Sequence, residues 1–301
     1  MDIIKNISII FISIFFESLP FLLLGSIISA TIETYISNEK IAKMIPKNRV
    51  LASIVGVFLG FFIPACDCAV IPVSKRLLKK KVPINVAITF MLASPIINPV
   101  VLLSTYYAFY RTNPNIFWYR LIFGILISLV VGIIIGIIFN NKEVIKNGLL
   151  EEETCSCHHD HKNNKFTSII NHTAIDLFEV VKYLMFGALI ASLVQVLLPR
   201  NILLIFNNNE ILSIIVLMLF AYLISLCSTS DSFVGKSLLS SFTSSSILAY
   251  LLLGPMIDIK NTFVLLGNYK KKFVYTLITL IFITIFIASV GVVMLSWKIN
   301  F

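Results

Sequence analysis

The feature that most limits what this chain can fold into is a train of eight apolar segments. They lie at about residues 7–32, 50–73, 84–110, 116–139, 171–198, 210–234, 244–268 and 273–297. A helix rises about 1.5 Å per residue, so about 20 residues cross a hydrocarbon core, and each segment is long enough to reach. A chain that is 58% hydrophobic and 13% charged has too little polar surface to cover so many apolar helices in water. The fold class is therefore an all-α polytopic membrane protein, multi-pass in the cell membrane, with the lipid bilayer as its first partner. The first segment is too long for a cleavable signal core and carries Glu17, so it is expected to stay as the first span. The formal charge of +9 comes from short Lys/Arg runs between apolar segments. That pattern suits the anchoring of cytoplasmic loops and not a nucleic-acid-binding face.

One linker stands apart. Residues 140–168 are polar, charged and rich in Cys and His, and they divide the chain into a first transmembrane repeat (1–139), a cytoplasmic linker and a second transmembrane repeat (169–301). The halves match at polar, Gly and Pro positions, where chance similarity between apolar helices does not reach. Glu17 and Gly25 match Glu179 and Gly187. Cys66 and the following Val73-Ser74-Lys75 match Cys227 and Val234-Gly235-Lys236, and Ser94-Pro95-Ile96-Ile97-Asn98 matches Gly254-Pro255-Met256-Ile257-Asp258. Internal repeats of this kind are a hallmark of transporters.

Eight simple crossings would set Lys40, Lys43, Lys47 and Arg49 on the face opposite Lys75, Arg76, Lys79, Lys80 and Lys81. If residues 50–65 instead enter partway, break at Cys66-Asp67-Cys68 and return, both clusters share the cytoplasmic side with the linker and Lys270-Lys271-Lys272. The halves are then inverted, each with three crossings and one re-entrant hairpin. Non-helical backbone is tolerated at membrane depth where it lines protein or a cavity.

The break carries the chemistry. An aspartate between two cysteines is costly in lipid, and such residues face a cavity or a partner. In a continuous helix Cys66 and Cys68 would point about 200° apart. In an extended stretch they face the same way, and Pro64 and Pro72 disfavour a helix running through. Two soft sulfur donors beside a carboxylate suit zinc, copper or a trivalent arsenic-like centre; the plain alternative is two small buried hydrophobes with Asp67 as a helix cap. The counterpart, Cys227-Ser228-Thr229-Ser230-Asp231, keeps one thiol and one acid and adds hydroxyls, although Ser and Thr also serve simple helix packing. Asn98 and Asp258 stand at equivalent proline kinks, where freed carbonyls can coordinate a substrate. Glu17 and Glu179 are either proton relays or interfacial residues, with Lys182 near enough in sequence to pair with Glu179.

In the linker, Cys155, Cys157, His158, His159 and His161 form a short Cys/His tract of the metal-binding kind. Thiolate and imidazole suit Zn or Cu, the only resident metals the sequence suggests, and the spacing fits a flexible capture or sensing loop and no closed zinc finger. There is no Gly-rich phosphate loop, so transport energy would come from a gradient or a partner, and no enzymatic activity is expected.

Three stretches together resemble a known family: Pro64-Ala65-Cys66-Asp67-Cys68-Ala69-Val70-Ile71-Pro72-Val73, Ser94-Pro95-Ile96-Ile97-Asn98-Pro99-Val100-Val101-Leu102, and Cys227-Ser228-Thr229-Ser230-Asp231-Ser232-Phe233. They look like the YraQ-type predicted permeases, which include the organoarsenical efflux permeases, and the resemblance covers nearly the whole chain outside the linker. It implies an inner-membrane permease of about eight spans. For the arsenical branch it implies export of trivalent organoarsenicals through thiols at the positions of Cys66, Cys68 and Cys227. A related branch is described as copper/zinc efflux, with a Cys/His-bearing central loop.

The resulting expectation is efflux of a small thiophilic metal or metalloid through a site built from Cys66, Asp67, Cys68, Asn98, Cys227, Ser228, Thr229, Asp231 and Asp258. A membrane thiol-redox protein using Cys66 and Cys68, or a metal sensor or permease subunit using the Cys155–His161 loop, are the alternatives. A homo-oligomer or an accessory membrane subunit is left open.

Overall fold

A computed structural model describes residues 2–35, 45–46, 48–63, 66–144, 165–197 and 209–299. Its helices, in chain order, are α1 (Asp2–Tyr35), α2 (Arg49–Phe62), α3 (Val70–Lys79), α4 (Ile84–Ile97), α5 (Pro99–Phe109), α6 (Asn115–Ile138) and the single turn α7 (Asn141–Val144). After the linker come α8 (Lys165–Leu197), α9 (Glu210–Ile224), α10 (Ser228–Leu238), α11 (Ser244–Met256), α12 (Ile259–Asn268) and α13 (Lys271–Ile299).

Among the described residues six stretches are long and apolar enough to cross a membrane: Ile3–Thr31, Ile84–Phe109, Asn115–Ile138, Thr173–Leu197, Ser244–Asn268 and Lys271–Met294. The remaining apolar helices are too short. The 14 residues of α2 extend about 21 Å, well under the hydrocarbon thickness of about 30 Å. The chain therefore turns back. Asn85 Nδ2 donates to Arg49 O at 2.9 Å and Ser94 Oγ to Ile63 O at 3.2 Å, so α2 and α4 run side by side in the same direction. Between them α3 runs the other way, with Ser74 beside Met91. Helices α2 and α3 thus form a hairpin whose open end lies where α4 begins.

The second half repeats this order. Ser213 Oγ meets Ser246 Oγ at 2.7 Å and the Phe220 and Tyr250 rings lie 6.1 Å apart, which sets α9 parallel to α11. Asp231 of α10 lies against Gly254 and accepts from Tyr250, while Gly235, one turn on, packs against Leu251 and Ile247, so α10 is antiparallel to both. Its hairpin opens on the other face. Asn141 bonds to Val82 O and Ile84 N, and Lys270 N donates to Val144 O, which marks the linker face. Asn113, at the far end of α6, bonds to Ser244 at the start of α11, which marks the opposite face. The two halves run in opposite senses.

Two features hold them together. The first helices, α1 and α8, are antiparallel, with Ile14 against Ala188 and Ala191 at one end and Ser29 bonded to Asp176 at the other. The first hairpin is also tied to α8 by charge. Arg76 bonds to Asp176 through Nη2 at 2.8 Å and Nε at 3.1 Å, and Lys75 Nζ reaches both Glu179 oxygens at 2.8 and 2.9 Å. Here the structure corrects the sequence reading. Lys75 and Arg76 were expected in a loop-anchoring cluster, but both are buried, because α3 returns through the protein interior and meets Asp176 and Glu179 one turn apart on α8. Glu179 accordingly pairs with Lys75 and not with the nearby Lys182.

Candidate functional site

Each hairpin tip is a break in helical backbone, and the breaks differ. In the first, the amides of Ala69 and Val70 both donate to Cys66 O at 3.1 Å, so residues 66–69 form a tight turn that feeds α3. The extended stretch expected from the alternation argument is absent, because these amides close a turn on Cys66 O, and Cys66 and Cys68 both line the cavity from that turn. Pro72 falls in the first turn of α3, where its missing N–H costs nothing; Pro64 lies outside the described residues. In the second hairpin, α9 ends at Ser225 in the left-handed region (φ 52°, ψ 48°), and Cys227 is the extended residue before α10. A non-glycine residue held there stores strain at the turn.

The crossings α4–α5 and α11–α12 break as well, three residues beyond Pro95 and Pro255. Asn98 accepts from Val100 N at 3.0 Å and Asp258 from Asn261 N at 2.6 Å, so each caps the helix that follows. Beyond the second break, Lys260 lines the cavity between the hairpin tips.

The convergence leaves a small cavity of about 10 Å³, near the size of one water. Cys66, Asp67 and Cys68 of the first hairpin, Ser225 and Cys227 of the second, Lys260 of α12 and Glu17 of α1 line it. The three thiols are free. Asp67 is buried and takes contacts from across the divide: Ser228 Oγ at 3.4 Å, Asn261 Nδ2 at 3.4 Å and Lys260 Nζ at 3.4 Å. Lys260 also stands 3.5 Å from Asp258. Close approach of the first helices holds this in place. A Cβ at Gly25 would lie 2.6 Å from Ala69 Cβ, and one at Gly187 would lie 2.8 Å from Lys260 O, so only glycine lets α1 and α8 pack this near the breaks.

Of the nine membrane residues singled out from the sequence, Cys66, Asp67, Cys68 and Cys227 share the cavity, and Ser228 and Asp258 join them through Asp67 and Lys260. Thr229 sits beside Cys227, 3.5 Å from its sulfur. Asn98 and Asp231 lie outside the lining, Asp231 being bonded to Tyr250 at 2.9 Å. The linker set of Cys155, Cys157, His158, His159 and His161 falls outside the described residues. Among the described residues no three His, Cys, Asp or Glu side chains are grouped so as to hold a metal ion.

Sequence reasoning missed Lys260 and Arg120. Arg120, fully buried on α6, donates to Thr105 at 2.6 Å and Ser232 at 2.8 Å and so ties α5 and α6 to α10. Each is a cation inside an apolar segment, and that alone was a usable signal.

A family model described as "Predicted permease" (ArsP_1) matches residues 3–294. The chain belongs to this predicted permease family. It is 38% identical over 270 residues to a Streptococcus mutans protein named "Putative two-component membrane permease complex subunit", covering 88% of this chain and 87% of that protein. It is 39% identical over 280 residues to "UPF0718 protein YcgR" of Bacillus subtilis, covering 93% and 94% respectively. No solved structure matches this permease.

Proposed function

We propose that this permease exports a small thiophilic metal or metalloid species through the cavity where the two hairpin tips meet. Cys66, Cys68 and Cys227 bind the cargo, and Asp67 and Asp258 balance its charge. The observation that carries this reading is the arrival of three free thiols, from hairpins that open on opposite faces, at one small cavity beside the buried Asp67 carboxylate. Soft sulfur donors select soft ions. Broken helices meeting near mid-membrane between inverted halves are the usual construction of a secondary transporter site. The shared order of six helices in each half supports descent from one duplicated unit.

Alternating access at such a site has the hairpins part toward one face at a time. Arg49, Lys79, Lys80, Lys81, Lys270, Lys271 and Lys272 all lie toward the linker face, which supports that face as cytoplasmic. The Cys155–His161 tract is then cytoplasmic and captures the same cargo. The complex-subunit name of the S. mutans relative supports an accessory membrane subunit for this chain as well.

Everted membrane vesicles carrying the protein test the proposal with Zn²⁺, Cu⁺, arsenite and methylarsenite as probes. One or more of them should accumulate, and Cys66→Ser/Cys68→Ser should abolish uptake at unchanged protein level. Unchanged uptake would sink the site assignment.

A further inference from the structure

The interior ion pairs are of two kinds. Arg76–Asp176 and Lys75–Glu179 close to 2.8 Å, the length of a strong charge-assisted hydrogen bond. At the cavity, every contact of Asp67 with Lys260, Ser228 and Asn261 is 3.4 Å, and Lys260 to Asp258 is 3.5 Å. Among the described residues, the buried Asn261 Oδ1 has no hydrogen-bond partner and the buried Asp258 Oδ2 has only the long 3.5 Å contact to the Lys260 ammonium. A buried pair that only holds helices together recovers its desolvation cost through short, saturated contacts. This cluster does not, and it is the one beside the thiols.

Its composition is also incomplete as a charge set. Two buried carboxylates, one from each half, face a single ammonium, and Glu17 adds a further carboxylate to the lining. The ammonium stands between them, where a cation bridging the halves would stand. The Lys260 backbone packs against Gly187, and its buried side chain reaches into the cavity lining.

We propose that Lys260 is a tethered stand-in for cationic cargo: before loading, its ammonium fills the position between Asp67 and Asp258 that a soft divalent cation takes on loading. This inference rests on the thiol-lined cavity being the cargo site, and it narrows the cargo to a cation as against a neutral trivalent arsenical. The carrier thereby avoids burying two uncompensated carboxylates before loading. A cation must displace the ammonium before it can use the carboxylates, whereas a neutral thiol reagent gains nothing from the exchange. If the ammonium occupies its position in about nine molecules of ten, it weakens apparent cation affinity about tenfold.

The test uses the purified full chain with Cys155→Ser/Cys157→Ser, so that only the three cavity thiols remain, and two probes: Cd²⁺ as a thiophilic cation and phenylarsine oxide as a neutral thiol ligand. Lys260→Met empties the position. Lys260→Met/Glu17→Gln does so while conserving the charge of the cavity lining and leaving Asp67 and Asp258 intact. Both should bind Cd²⁺ about tenfold more tightly than the parent, with phenylarsine oxide affinity unchanged, and Lys260→Arg should behave as the parent does. Unchanged or weaker Cd²⁺ binding, an equal shift for both probes, or failure of both variants to fold would overturn the inference, the last by making Lys260 a structural strut. Cys66→Ser/Cys68→Ser separates the two readings. If it leaves phenylarsine oxide binding intact, the thiol site itself fails. If it abolishes that binding while Cd²⁺ ignores Lys260, only the present inference fails.

Discussion

Arg76→Met removes one side of the pair that ties the first hairpin to α8. The guanidinium and carboxylate are joined by two hydrogen bonds, at 2.8 and 3.1 Å, with side chains only 2% and 7% exposed. The substitution keeps most of the apolar stem and deletes the charge, so Asp176 is left as a buried carboxylate with the Ser29 hydroxyl at 3.0 Å in place of a bidentate cation. Breaking such a pair from one side costs about 3–5 kcal/mol. At about 2–4 °C per kcal/mol, the scaling for domains of 150–250 residues, the unfolding temperature in detergent should fall by about 6–20 °C. Arg76→Met/Asp176→Leu removes both charges and should recover most of the loss, since an apolar replacement of a buried pair is often neutral or better. An unchanged unfolding temperature for Arg76→Met, or a double variant less stable than the single one, would refute the reasoning that this pair is a structural tie.

Other consequences are open to measurement. Gly187→Leu should separate α8 from Lys260 and Gly25→Leu should separate α1 from Ala69, each costing about 1–3 kcal/mol by overpacking and each reducing vesicle uptake; retained uptake would contradict the close packing as a requirement. Ser225→Gly relieves a left-handed residue, a conformation worth about 1–2 kcal/mol in strain, and should raise the unfolding temperature slightly; a fall would show that the Ser225 contact with Lys260 N outweighs the strain. Lys81→Cys and Ser240→Cys, both at exposed hairpin mouths on opposite faces, should be labelled by a membrane-impermeant maleimide from opposite sides of the membrane, Ser240→Cys from outside. Labelling of both from one side would contradict the inverted arrangement.

Much of this architecture was legible in residue types. Segment lengths dictated the membrane class, and the cost of Asp67 with its neighbouring thiols marked the first hairpin tip. The charge distribution argued for a re-entrant hairpin there, and the run of contacts from Arg49–Asn85 to Ile63–Ser94 shows one. What could not be read was which side chains meet across elements. Depth along a helix follows from sequence, but rotation about its axis is decided by packing. Lys75 and Arg76 therefore looked like surface anchors while facing Asp176 and Glu179, and Asp231 looked like a cavity residue while facing Tyr250. Lys260 was legible and overlooked: it follows the kink at Asp258 by two residues in an apolar segment, and it meets Asp67 only because the second half is folded back on the first.

The central claim is that the broken hairpins of the two halves meet at one thiol-lined point, and cross-linking tests it most directly. With Cys155→Ser/Cys157→Ser and a protease site placed in the 140–168 linker, a short bifunctional thiol reagent should join Cys66 or Cys68 to Cys227. The cleaved halves should then migrate as one species under denaturing conditions, and Cys227→Ser should release them. Halves that separate fully after treatment, with all three thiols modified, would contradict the claim.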